Sequence, residues 1–270
     1  MRAAKLPGFG LGLGLTVVWL SLLVLLPLSA LALKAAGAGW DRVLATALDP
    51  RVLAAVRLSL WTSFAAAAVN LAFGTLLAWV LVRHPLPGKG LLDALVDLPF
   101  ALPTAVAGIA LTKLYMPEGW VGRWLPFKVA FTPLGIFVAL VFIGFPFVVR
   151  TLQPVLADLD PQEEEAAGCL GAGRAQTLFR VVLPHLAPAL FTGFTLAFAR
   201  GLGEYGSVLF ISGNLPMRTE IPPLLIVSRL EQYDYAGAAV IAVLLLLLSF
   251  VLLALLQVLQ RRLGREVRVG

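Results

Sequence analysis

Residues 160–184 read DPQEEEAAGCLGAGRAQTLFRVVLP, a polar stretch between two long apolar runs. Similar apolar runs recur along the chain, and a run of about 20 such residues is long enough to cross a bilayer as an α-helix. Of all residues, 60% are hydrophobic and 13% are charged, whereas a typical soluble domain carries about 25% charged residues. Continuous apolar runs such as residues 243–248 lack the alternation that a membrane β-barrel needs. The predicted fold class is therefore an all-α membrane protein.

The apolar runs predict six transmembrane helices. They lie at residues 11–33, 57–82, 98–115, 131–150, 188–211 and 236–259. An even number of spans puts both termini on one side, and the two tails hold six Lys and Arg residues against one acid, Glu266. Because positive flanks favour the cytoplasmic side, we expect both termini and the loops 83–97 and 151–187 in the cytoplasm. The outer segments are then residues 34–56, 116–130 and 212–235.

The sequence between the fourth and fifth spans predicts a helical hairpin. Asp160 can cap a short helix, and Glu163 stands at the position that completes a capping box. Gly171 is placed to end that helix. Pro184 and Pro188 predict the step into the fifth span. A hairpin that only connects the two spans, with its acidic residues in contact with water, would explain these features.

Small apolar residues on the same hairpin favour a docking role over a purely connecting one. Ala166, Ala167 and Leu170 would lie on a helix outside the membrane. There they suit a groove on a partner protein better than water. We therefore expect this segment to bind another protein.

The spacing of the segment resembles the EAA loop of ABC-importer permeases, with Val181 in place of the usual isoleucine. The pattern is Glu-Ala-Ala at 165–167, a glycine at 171 and Leu-Pro at 183–184. The resemblance implies a type I ABC importer permease fold with six transmembrane helices, in which the loop 165–184 is a cytoplasmic coupling helix that docks into an ATP-hydrolysing subunit. It assigns ATPase coupling to Glu165, Ala166, Ala167, Leu170, Gly171, Leu183 and Pro184.

Four further blocks make the chain similar to the sulfate/thiosulfate permeases of the T type. They are residues 97–108, 147–154, 203–214 and 231–235. The resemblance implies a subunit that translocates sulfate or thiosulfate across the inner membrane of a bacterium. Molybdate permeases share the Gly-Glu-aromatic-Gly element, so molybdate or tungstate is an alternative cargo. An ion-coupled secondary carrier is the alternative from another class, but its usual duplicated halves and midplane ion-binding charges are missing from the sequence.

The same resemblance implies the partners and the domain division. The expected partners are ABC ATPase subunits that carry ATP and Mg²⁺, a second permease subunit, and a periplasmic sulfate-binding protein. The second permease is a W-type subunit or another copy of this chain. Residues 1–56 form the N-terminal tail, first helix and outer segment, residues 57–260 the permease domain, and residues 261–270 a cytoplasmic tail.

Charged and polar residues near the fifth span are candidates for the anion pathway. Arg200 and Glu204 lie inside the span, where charge is costly and usually functional. At positions i and i+4 they can also neutralise each other, so a pair or a gate made from it is favoured over direct contact with sulfate. Pro99 and Pro103 predict a break or a delayed start in the third helix. The uncharged candidates are Thr104, Ser207, Ser212 and Asn214.

The sequence offers no catalytic arrangement. It has no Gly-x-x-x-x-Gly-Lys-Ser/Thr loop, so no cofactor and no ATP are expected on this chain. His84 and His185 are isolated, and the single Cys169 excludes an intrachain disulfide and a cysteine metal cluster. The prediction is a non-catalytic subunit without a metal site. Its net charge of +6 concentrates at helix ends and tails, so the lipid bilayer and not nucleic acid is the expected environment.

Overall fold

The computed structural model describes residues 9–266, with side chains described through residue 260. Helices joined by short loops make up this part of the chain, and no strand occurs within it. The prediction that both termini are cytoplasmic rests on Arg2, Lys5 and the arginines from residue 261 onward. Those side chains lie outside the described residues.

Eleven helices follow one another in the described residues. They are α1 (Phe9–Ala36), α2 (Trp40–Ala47), α3 (Pro50–Arg83), α4 (Lys89–Ala101), α5 (Thr104–Tyr115), α6 (Pro133–Asp158), α7 (Pro161–Cys169), α8 (Arg174–Leu202), α9 (Gly206–Ile211), α10 (Pro222–Glu231) and α11 (Tyr235–Glu266). Five of them, α1, α3, α6, α8 and α11, are long and apolar enough to cross a membrane, and the bent pair α4–α5 makes six when it is counted as one broken span. The predicted all-α fold with six spans is confirmed.

Helices α3, α6 and α8 form the centre of the bundle. At one end of α3 the core consists of fully buried leucines, namely Leu81, Leu152, Leu156 and Leu186. Toward the other end of α3, Ile136, Val208 and Leu224 take over. Helix α3 has 34 residues and is therefore about 50 Å long, so it projects beyond a hydrocarbon core about 30 Å thick.

The second span begins earlier than predicted. Helix α3 starts at Pro50, whereas the apolar run predicts a start at residue 57. The added turns are amphipathic: Val52 and Ala55 are buried, and Arg51 pairs with Glu220. A hydropathy pattern alone misses such turns, because their charged residues are neutralised only by a distant part of the chain.

The third span is broken where a proline predicts it. Helix α4 ends at Ala101 and α5 begins at Thr104, and the two axes differ by 111°. Pro103 stands at the break, while Pro99 is accommodated inside α4. The predicted start at residue 98 is wrong, since the span already begins as α4 at Lys89.

The fifth span differs most from its predicted bounds of 188–211. Helix α8 begins at Arg174, so the predicted start at residue 188 is wrong, but its regular α-helical part begins at Leu183, directly before the first of the two prolines Pro184 and Pro188. A π-helical turn at Leu178–Val182 precedes them. The wider turn changes the hydrogen-bond register, so the helix tolerates the absence of an amide hydrogen at Pro184. The span then ends at Leu202, and Gly206–Ile211 forms the separate helix α9.

Helices α5 and α9 approach each other closely through glycine. A Cβ atom added to Gly108 would lie 2.5 Å from the backbone oxygen of Ser207. No side chain fits at that distance unless the backbones separate. The contact joins α5, the second half of the broken third span, to the short helix that follows the fifth.

We expect Gly108→Ala to loosen this contact and lower the stability of the purified protein. The backbone oxygen cannot move aside as a side chain would. We therefore expect the free energy of unfolding to fall by about 1–3 kcal/mol, which would lower the Tm in detergent. Gly90→Ala in α4 is the matched control, because its Cβ would meet nothing within 4 Å and alanine favours the helix. Equal Tm values for the two variants would refute the close packing.

Candidate functional site

The elbow, defined here as residues 160–184, consists of α7 and the first turns of α8. Helix α7 begins at the predicted cap, in which Asp160 Oδ1 accepts a hydrogen bond from the Gln162 N–H at 2.9 Å. The second half of the predicted capping box does not form among the described hydrogen bonds. The carboxylate of Glu163 instead lies 4.0 Å from His185 Nδ1.

The end of α7 is a Schellman motif around Gly171. The Ala172 N–H donates to the Ala167 oxygen at 3.0 Å, and the Gly171 N–H donates to the Gly168 oxygen at 2.9 Å. Gly171 has φ +86°, which is left-handed backbone that favours glycine. An added Cβ would meet nothing within 4 Å, so backbone conformation and not space selects glycine here. The predicted helix end is confirmed.

The tip of the elbow is exposed and partly apolar. Leu170 is 89% exposed, and Glu165, Ala166 and Cys169 are exposed beside it. Ala167 is half-buried. Its own chain thus leaves the large apolar side chain of Leu170 uncovered at the end of a short capped helix.

An ion pair attaches the elbow to the bundle. Arg83, the last residue of α3, donates from Nη2 to Glu164 Oε1 at 2.8 Å. The same nitrogen lies 3.5 Å from the Leu159 oxygen at the start of the elbow. A contact between residues 81 positions apart leaves no local signal that could have revealed it.

The remaining two motif residues lie on α8. Leu183 is half-buried and Pro184 is exposed, both just beyond the π-helical turn Leu178–Val182. That turn packs beside α7. The elbow is therefore joined to three spans, to α6 and α8 through the chain and to α3 through Arg83.

The predicted pair of Arg200 and Glu204 forms and is more than an ion pair. Glu204 is 1% exposed, and its Oε2 lies 2.5 Å from Arg200 Nη1. Its other oxygen accepts hydrogen bonds from both the N–H and the hydroxyl of Ser207, each at 2.9 Å. Glu204 thus neutralises Arg200 and also satisfies the first turn of α9. Ser207 is buried and donates to Glu204, which is a structural task.

Thr104 lies beside this cluster. It is the first residue of α5 and is half-buried, and a Cβ atom added to Gly206 would overlap its hydroxyl. The break in the third span and the break after the fifth span therefore meet. Both helix starts, at α5 and α9, come together next to the Arg200–Glu204 pair.

Ser212 and Asn214 are separated from that junction by the length of α9, about 9 Å. Ser212 is buried, and its hydroxyl accepts a hydrogen bond from the Asn214 N–H at 3.1 Å. Asn214 has φ +47°, a left-handed conformation that asparagine tolerates. The two residues shape the turn after α9, and the structure does not bring them together with Arg200.

A second cluster of charges was not predicted and fixes α4 to α6. Arg150 donates to both oxygens of Asp97, at 2.8 and 2.6 Å, and to Asp93 Oδ1 at 2.9 Å. Gln153 also donates to Asp93, at 3.0 Å. The spacing of Asp93 and Asp97, four residues apart on one helix, is the sequence signal that could have indicated a shared cation. The cluster holds α4, the first half of the broken third span, against the core.

At the opposite end of α3 from the elbow, ion pairs join the loops. Arg51 donates two hydrogen bonds of 2.7 Å to Glu220, which is 2% exposed. Arg229 lies 3.4 Å from Asp49 and 3.5 Å from Asp234. These contacts hold the segment 212–221 and α10 to the start of α3.

Comparisons with solved structures support the fold. The chain is similar to a bacterial ABC transporter involved in the import of the polysaccharide alginate, with a TM-score of 0.78, 15% identity and coverage of 94% of this chain and 96% of that one. It also matches the methionine ABC transporter in an inward-facing form, with a TM-score of 0.51 and 20% identity over 79% of this chain and 96% of that chain. At such identities the likeness concerns the fold alone.

Sequence comparisons give the family. The sulfate transport system permease protein CysT of Escherichia coli is 49% identical over 97% of this chain and 96% of its own length. The protein of the same name from Synechocystis is 49% identical over 91% of this chain and 87% of its own. The family model described as binding-protein-dependent transport system inner membrane component matches residues 70–265. The predicted resemblance is confirmed, and the chain belongs to this family of inner-membrane transport components.

Proposed function

We propose that this chain is a permease subunit of an ATP-driven importer for sulfate and thiosulfate. The observation that carries the proposal is the elbow: a capped helix with an exposed apolar tip, attached to three spans and carrying the motif of the family. The sulfate cargo is supported by relatives that are nearly half identical over almost the whole chain and are named as sulfate permeases. Molybdate or tungstate is the alternative cargo within the same class.

The partners follow from the same proposal. ATP and Mg²⁺ bind to separate ATPase subunits, which receive Leu170 and its neighbours in a groove. A second permease, of the W type or a copy of this chain, completes the pathway, and a periplasmic sulfate-binding protein delivers the anion to the other end. This arrangement puts the elbow and both termini in the cytoplasm.

The junction of the two broken helices is the proposed gate for the anion. Arg200 remains one-third exposed, and its guanidinium has five N–H donors, of which the pair with Glu204 takes only part. A dianion beside it would compete with Glu204 for the same cation. Thr104 at the start of α5 can add a hydroxyl donor. We therefore expect the gate to open when the ion pair between Glu204 and Arg200 weakens.

The cargo is tested by uptake of labelled sulfate in a strain that lacks the gene. We expect uptake to return only when the chain is supplied with its ATPase, second permease and binding protein. Unlabelled thiosulfate should compete with the label, and molybdate should not. Restored uptake of molybdate without sulfate uptake would favour the alternative cargo, and uptake by this chain without an ATPase would contradict the importer.

Gly171→Asp should uncouple the transporter while leaving it in the membrane. A residue with a Cβ is strained at φ +86°, and the tip of the elbow would change its direction. We expect sulfate uptake to fall while ATP hydrolysis by the complex no longer responds to the binding protein. Gly173→Asp is the matched control, because it adds the same charge at an ordinary backbone conformation.

Cys169 provides a direct readout of docking and orientation. It is the only cysteine in the sequence and is exposed beside Leu170. A membrane-impermeant thiol reagent should label it from the cytoplasmic side only, and the ATPase subunits should protect it in the wild type but not in Gly171→Asp. Labelling from the periplasmic side would overturn the proposed topology.

Charge reversal tests the gate. Arg200→Glu would place a second carboxylate one turn from buried Glu204, and we expect sulfate uptake to fall by about tenfold or more. The exchange of both charges, Arg200→Glu with Glu204→Arg, restores an ion pair but not the cation at position 200. Wild-type uptake in the exchanged variant would show that the pair is only structural and would contradict the proposed gate.

A further inference from the structure

A large groove lies between α3, the elbow and α8. Its volume is about 1040 Å³. The long wall is apolar and is formed by successive turns of α3 and facing residues of α8, including Ala68, Leu71, Ala72, Leu76 and Leu190. From Ala68 to Arg83 this wall extends over about 22 Å of helix, more than the roughly 15 Å that one leaflet contributes to the hydrocarbon core.

The elbow end of the groove is polar and carries more positive than negative charge. Arg83, His84 and Arg174 line it, together with the single acid Glu164. Glu164 is already engaged by Arg83, and among the described residues no acid forms an ion pair with Arg174. Arg83 Nε is buried and has no hydrogen-bond partner within the same residues. The exposed guanidinium of Arg174 is thus left for an anion.

An aromatic ring marks the boundary between the two parts of the groove. The Arg83 guanidinium carbon lies 5.5 Å from the centre of the Trp79 ring. Tryptophan and arginine in this order, with apolar residues on one side and cations on the other, are typical of the level of the lipid headgroups.

We propose that this groove binds an anionic phospholipid of the cytoplasmic leaflet. The acyl chains lie along the wall at Ala68 and Ala72, and the phosphate accepts hydrogen bonds from Arg174 beside the positive charge of Arg83. Basic pockets between membrane helices on the cytoplasmic side recognise such headgroups. The assignment of the leaflet rests on the proposed function, which puts the elbow in the cytoplasm.

The bound lipid would stabilise the elbow against the bundle. Gly168 and Ala172 of the elbow line the groove together with Trp79 of α3. A lipid that occupies the space contacts both walls at once and supports the Arg83–Glu164 attachment. The lipid would therefore stabilise the elbow in addition to the Asp160 cap and the Arg83–Glu164 ion pair.

Native mass spectrometry of the purified full importer tests the proposal. We expect wild-type complexes to retain phosphatidylglycerol or cardiolipin in preference to phosphatidylethanolamine. Ala72→Trp places an indole ring in the apolar part of the groove and should abolish this retention. Arg174→Gln removes one cation and should lower it about fivefold.

Two control variants match these changes outside the groove. Leu247→Trp adds an equally large ring at a residue of α11 that is 55% exposed. Arg123→Gln removes another arginine that lies over a tryptophan, 5.2 Å from the centre of the Trp124 ring. Both controls should retain anionic lipid as the wild type does.

Three outcomes would overturn the proposal: a wild-type complex without retained lipid, equal retention of neutral and anionic lipid, or undiminished retention in Ala72→Trp. A disulfide cross-link from Ala72→Cys to a helix of the second permease would also overturn it, because protein would then fill the groove. Lipid retention is measured without any solute, so its failure leaves the sulfate uptake result intact. Failed sulfate uptake with retained anionic lipid would instead count against the cargo alone.

Discussion

The structure depends on one constraint, that backbone N–H and C=O groups within a bilayer need partners inside the protein. A continuous helix meets it along its own length, and a broken helix does not. Here the third span breaks before Thr104 and the fifth span ends before Gly206, and the two breaks meet. Glu204 satisfies the first turn of α9 from within the protein. Irregular backbone from two spans therefore meets at one junction, next to the pair of Arg200 and Glu204.

The elbow combines rigidity with attachment. Its cap and its Schellman motif fix both ends of α7, so a displacement of the tip moves the whole helix. Under the proposed function, the pair of Arg83 and Glu164 transmits such a displacement to α3, and the chain transmits it to α6 and α8. Because α8 leads directly to Arg200 and Glu204, a movement at the elbow reaches the junction through a single helix.

The sequence predicts the parts that depend on local chemistry. Apolar runs identify the spans, Asp160 and Gly171 predict the ends of α7, Pro103 predicts a break, and Arg200 with Glu204 predicts a pair four residues apart. The errors have a common origin in contacts between distant residues. Helix α3 begins earlier than predicted because Glu220 accepts hydrogen bonds from Arg51. The two aspartates of α4 accept hydrogen bonds from Arg150. No pattern in the sequence marks the π-helical turn before Pro184, so the predicted start of the fifth span at residue 188 is too late.

Under the proposed function, the exposed leucine at the tip of the elbow makes the chain dependent on prompt assembly. A subunit synthesised without its ATPase displays Leu170, at 89% exposure, to the aqueous side. Such a residue attracts chaperones, proteases and other copies of itself. Cells that overproduce this subunit alone should degrade or aggregate it, and co-expression in matched amounts is the natural remedy. The surface that serves docking thus also reports incomplete stoichiometry to quality control.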